Sequence, residues 1–125
     1  MKYICGLENA PAFSPIVADF YSGMEVTVPL FKQQLNKGGI EDIKAIYKEK
    51  YHDEFVEYVE NIEETGFVSA LVLSHKDGMK VTVQGNEDRI LLIACYDNLG
   101  KGASGAAVEC MNLVIGAEKT KGLEL

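Results

Sequence analysis

Near the C-terminal end the chain reads Gly100-Lys101-Gly102-Ala103-Ser104-Gly105, a G-x-G-x-x-G run. That spacing lets a backbone approach a pyrophosphate closely at the start of a helix. The run follows an apolar stretch, Arg89–Tyr96, and leads into Ala103–Ile115, so the strand, loop and helix of a dinucleotide fingerprint stand in order. The second half of the unit is missing. A Rossmann βαβ unit needs another parallel strand and an acidic residue about 20 residues further on, and here Glu118-Lys119-Thr120-Lys121 leads only to Leu125. Two readings stay open. Exposed N–H groups at a helix start, with Lys101 beside them, can receive an anion. Alternatively, Gly102, Ala103, Gly105, Ala106 and Ala107 leave a nearly bare helix face for close packing against another element or domain.

The other reactive residue types suggest no centre. Cys5, Cys95 and Cys110 are scattered, with no C-x-x-C pair and no histidine at metal-ligand spacing. Cys95 ends an apolar run and Cys110 sits among Val108, Met111 and Leu113, so both read as small buried hydrophobes; Cys5 is open to either reading. His52 and His75 lie in charged contexts that read as solvated loops. We therefore expect no catalytic residue and no metal site.

Charge and length narrow the classes further. Twelve Lys and Arg face 19 Asp and Glu, a net charge of -7, and Arg89 is the sole arginine. Such a surface repels nucleic-acid phosphates and anionic membranes. The longest apolar stretches, Phe67–Leu73 and Ile90–Tyr96, fall far short of the roughly 20 residues of a membrane span, and the N-terminus has no apolar core of a secretion signal. A cytoplasmic protein is expected. A chain of 125 residues makes one domain and cannot hold a complete nucleotide-dependent dehydrogenase with its substrate domain.

The elements that would position the glycine-rich run form an α+β pattern. Met24–Leu30 alternates Val26, Val28 and Leu30 against Glu25 and Thr27, a half-buried strand that Pro29 places at an edge. Ile40, Ile43, Ile46 and Tyr47 recur at helical spacing, with Glu41 and Asp42 early and Lys48 and Lys50 late, as the helix dipole favours. Phe55–Val59 reads as a short strand. Phe67–Leu73, Met79–Gln84 and Arg89–Tyr96 read as three strands joined by His75–Gly78 and Gly85–Asp88 turns of hairpin length. The last of them, apolar on both faces, should be central. The result is a mainly antiparallel, mixed sheet with helices packed on it.

The segment Asp97-Asn98-Leu99-Gly100-Lys101-Gly102-Ala103-Ser104-Gly105-Ala106-Ala107-Val108-Glu109-Cys110-Met111-Asn112-Leu113, with Gly116 beyond it, resembles the D-N-L-x-K-G-A-A-G-x-A-V-Q-N-M-N-L signature of N-acetyl-gamma-glutamyl-phosphate reductases. Glu109 and Cys110 stand where Gln and Asn are usual. Phe13-Ser14-Pro15-Ile16-Val17 through Val28 is similar to that family's F-x-P-H-L-x-P-x-x-R-G-x-x-x-T element, with Ile16 in place of the His and Ser22 in place of the Arg. The resemblance implies a domain like the C-terminal domain of glyceraldehyde-3-phosphate dehydrogenase, incomplete here. It further implies an NADP-dependent enzyme of arginine biosynthesis that reduces N-acetyl-glutamyl phosphate to the semialdehyde through a cysteine thioester.

The nucleophile motif and the H-R-H-x-P-E-I stretch that would act as acid and base are not in this sequence. The chain is therefore expected to be the C-terminal part of such an enzyme, inert alone and prone to form a homo-oligomer. Residues 1–96 would be its substrate and dimerisation sheet. Residues 97–125 would return to an absent nucleotide-binding domain, with Asn98, Leu99, Lys101 and Gly102 beside the cofactor. The alternative is a stand-alone module that holds a small anion.

Overall fold

A computed structural model of the chain describes residues 1–63 and 65–125. Strands β1 (Met24–Phe31), β2 (Val56–Tyr58), β3 (Met79–Gly85) and β4 (Arg89–Tyr96) form one sheet in the order β1-β4-β3-β2. β4 is antiparallel to both β1 and β3, while β2 joins β3 in parallel, so the sheet is mixed and mainly antiparallel, as the pattern predicts. The helices are α1 (Lys2–Cys5), α2 (Ile40–Lys50) and α3 (Gly105–Ile115). No helix among the described residues is long and apolar enough to cross a membrane.

β4 is central because it can bury both faces. Ile90 on one face and Cys95 on the other are fully buried, as period-2 alternation allows. Ile90 joins Val81, Val83, Tyr58 and Ile40 in the core that α2 covers, with Leu92, Ala94, Ile43 and Tyr47 around it. α2 begins where the Asp42 carboxylate accepts the Gly39 N–H at 2.8 Å, satisfying an orphan donor of the first turn. The hairpin between β3 and β4 is closed by Asn86, whose Oδ1 accepts the N–H groups of Asp88 and Arg89, both at 3.0 Å. Gly85 there has φ 114°, a conformation that glycine adopts without steric cost.

β1 is an edge strand, in keeping with Pro29. Its apolar face is covered less than its alternation suggests: Leu30 packs against the core, but Val26 and Val28 remain 37% and 47% exposed.

Two expectations are corrected. Phe67–Leu73 is not a strand, so His75–Gly78 does not close a hairpin. The segment satisfies its backbone locally instead, with Ser74 N–H on Leu71 O at 2.9 Å and Lys76 N–H on Leu73 O at 3.0 Å. Both edges of β4 are already taken by β1 and β3, and β2 occupies the outer edge of β3. A continuous apolar run carries no periodicity that separates a strand from such a turn-rich segment. Cys110 is exposed, not buried. Its apolar neighbours in sequence lie on an α3 whose outer face is uncovered: Met111 is 52% and Val114 86% exposed.

Candidate functional site

At the Tyr96 end of β4 lies a cleft of about 280 Å³, walled by Ser22, His75, Asp77, Asp97, Leu99 and Ser104 among others. Asp97 organises it. The residue is 1% exposed, and one carboxylate oxygen accepts the N–H groups of Leu99 at 2.7 Å and Gly100 at 3.0 Å, while the other accepts the His75 N–H. Burial by itself would raise this carboxyl's pKa. The N–H groups of Gly100, His75 and Leu99 and the Ser22 hydroxyl outweigh that effect and hold it down to about 2. His75 meets Asp97 from the left-handed region, φ 65°, which is unusual for a residue other than glycine. Ser22 and Ser74 share a hydrogen bond of 2.6 Å on the same side.

The chain leaves β4 through a π turn, Gly100–Ser104, before α3 proper begins at Gly105. Gly102 N–H reaches Asp97 O and Ser104 N–H reaches Leu99 O, both at 2.9 Å and both spanning five positions. π turns of this kind recur at functional sites. The glycines are needed for close approach: a Cβ on Gly100 would lie 2.6 Å from Lys76 O, and one on Gly105 would lie 2.7 Å from Asp77 Cγ. Of the bare face Gly102, Ala103, Gly105, Ala106 and Ala107, Gly105 is packed closely within the chain, while Gly102, Ala103 and Ala107 are exposed.

Two N–H groups that the anion reading would use are taken by the chain itself, those of Leu99 and Gly100. The chain's own carboxylate, Asp97, occupies the helix start, and the Lys101 ammonium lies 2.9 Å from Glu109 and 4.9 Å from the Phe55 ring centroid. Of the residues expected beside a cofactor, Leu99 lines the cleft. Asn98 adjoins it, its Oδ1 accepting the Gly23 N–H at 2.9 Å. Gly102 packs near the Tyr96 ring, and Lys101 points away toward β2. Cys95 is buried, and burial, with Glu25 and Glu63 nearby, pushes its thiol up to about 11. Sequence reasoning gave Asp97 no separate role, nor Ser22 and Asp77. For Asp97 the signal existed, since Asp followed by Asn-Leu-Gly is an Asx-turn and N-cap pattern.

Residues 1–98, which include Asp97 and Asn98 of this cleft, match the family described as semialdehyde dehydrogenase, dimerisation domain. The chain belongs to that family. It is also 44% identical over 116 residues to the N-acetyl-gamma-glutamyl-phosphate reductases of Brucella ovis, Brucella canis and Brucella abortus. Each alignment covers 88% of this chain and 37% of the relative, so this dimerisation-domain chain spans about a third of the length of those relatives. The family match ends at Asn98, which leaves the π turn and α3 outside it.

Proposed function

We propose that this chain is the substrate and dimerisation portion of an NADP-dependent N-acetyl-gamma-glutamyl-phosphate reductase acting in arginine biosynthesis in the cytoplasm. The observation that carries the reading is the 44% identity over nearly the whole chain to reductases of that name, joined to the dimerisation-domain match. Residues 1–96 form the sheet region that a second copy covers, and residues 97–125 return to a nucleotide-binding domain. The partly exposed apolar ladder of Met24, Val26 and Val28 on β1 supports a homo-oligomer, because apolar patches on strand faces are covered by partners.

The cofactor, when bound by the rest of such an enzyme, supplies hydride. The fit of the residues present is selective. Asn98, with an amide donor not used on Gly23, and the half-exposed Leu99 suit a neutral, partly apolar group such as the nicotinamide end. The negative charge of Asp97 and the paired Lys101 do not suit its phosphates. In this proposal Asn98, Leu99 and Gly102 border the cofactor, and Lys101 supports them from behind through Glu109. Asp97 holds the loop that carries them.

The test has two arms. Sedimentation of the purified chain is expected to give a dimer or larger species. Incubation with NADPH and N-acetyl-glutamyl phosphate is expected to give no turnover, because the nucleophile motif of such reductases is not in this sequence. A monomeric chain would remove the dimerisation reading, and turnover would remove the division of labour. Calorimetric binding of small anions at micromolar strength would favour the stand-alone module instead.

A further inference from the structure

We propose that the Lys101–Glu109 ion pair is a register lock, a positioning pair that holds residues 100–104 in the π rather than the α register. It thereby sets which way α3 presents its apolar face. The argument is geometric and independent of what the cleft binds. Lys101 and Glu109 are eight positions apart, yet Nζ lies 2.9 Å from Oε2. In an unbroken α-helix, side chains eight positions apart are turned about 80° from each other and separated by about 12 Å along the axis. One residue absorbed in a π turn makes the spacing equivalent to seven, which leaves the two about 20° apart and about 10.5 Å along the axis. The pair forms readily in the π register and is strained or broken in the other.

The opposite side of the turn obeys the same register. Gly100 and Gly105 both abut the Asp77 carboxylate, although residues five apart in an α-helix point about 140° away from each other. The lock is strong for an ion pair within one helix because it is largely out of water: the two side chains are only 13% and 22% exposed. The Phe55 ring, itself buried, covers the ammonium. Since Tyr96 is fixed in the sheet and Asp97 is pinned by its hydrogen bonds, losing the extra residue turns α3 by about 100° relative to the sheet. That rotation carries Val114 and Met111 to a different side of the molecule.

The experiment is solution NMR on the isotopically labelled 125-residue chain, reading the scalar coupling across the hydrogen bond of the Ser104 amide. In the unmodified chain the coupling partner is expected to be the Leu99 carbonyl. In Glu109→Gln and in Lys101→Met it is expected to move to the Gly100 carbonyl. In the charge-swapped chain, Lys101→Glu with Glu109→Lys, it should return to Leu99, which a merely destabilising substitution would not do. Couplings between β3 and β4 report that each variant is folded, and either single variant suffices. A Leu99 partner retained in the folded single variants overturns the proposal, since the glycines and the Ser104 hydroxyl would then set the register unaided. Loss of both couplings in a folded variant, or a swap that fails to restore Leu99, overturns it as well.

Discussion

At its Arg89 end, β4 meets β3 through a turn closed mainly from within Gly85–Arg89, by Asn86, with one bond from outside, the Lys32 N–H on Asp88 O at 3.2 Å. At its Tyr96 end, the next residue, Asp97, gathers backbone from His75, 22 positions away, and Ser22 from the chain entry, while Asn98 binds Gly23, 75 positions away. One end is finished by local turn chemistry and the apolar core, the other by a buried charge that needs the folded chain around it. The two ends should therefore fail in different ways, the first through lost packing and the second through pH and steric register.

The largest effect is expected at the packed end. Ile90 is fully buried against Val83 and α2, and Ile90→Ala should cost about 3 kcal/mol through lost burial and the cavity left behind. The urea midpoint would show it at neutral pH, and a loss below about 1 kcal/mol would mean that this end is not held by packing.

Next comes the acid response of the polar end. A carboxyl whose pKa is lowered on folding stabilises the fold fully above the ordinary carboxylate range and loses that contribution as pH falls through it toward the folded value. With Asp97 held at about 2, roughly 2 kcal/mol should disappear between about pH 4 and pH 2. Asp97→Asn should flatten that step while leaving the cost of Ile90→Ala unchanged, because the sites share no partner. An equal acid step in both chains would assign it to other carboxyls.

The smallest of the three effects is expected at Gly105. Alanine is favoured over glycine by about 1 kcal/mol inside a helix, but a Cβ here would press into Asp77, and such overpacking costs about 1–3 kcal/mol. Gly105→Ala should be destabilising by a net 1 kcal/mol or so, and the double variant with Asp77→Gly should recover the loss. A stabilising Gly105→Ala would show that the turn has room that the close contacts deny.

Much of the fold was legible because its signals are short-range. The β1 alternation with Pro29, the charges and apolar spacing of α2, and the Gly85–Asp88 hairpin each need only neighbours along the chain, and β4 reads as central because it is apolar on both faces. Phe67–Leu73 was misread because an apolar run does not say whether a free strand edge is within reach. Cys110 was misread because apolar neighbours along a helix do not say whether anything covers them. At the cleft, Asn98, Leu99, Lys101 and Gly102 were singled out by resemblance, and only the folded chain separates Leu99, which lines the cleft, from Lys101, which turns away to Glu109.

The sequence by itself determined the mixed α+β pattern, the acidic surface and the resemblance to a reductase family, all properties of composition and local order. Tertiary structure decided that the carboxylate offered locally to the glycine-rich helix start is buried and held there. A helix N-terminus attracts whichever negative charge is nearest in space, and here that charge is Asp97, brought into place by β4 and held there by His75 and Ser22. At the start of the motif, two N–H groups that an external anion could use are taken from within.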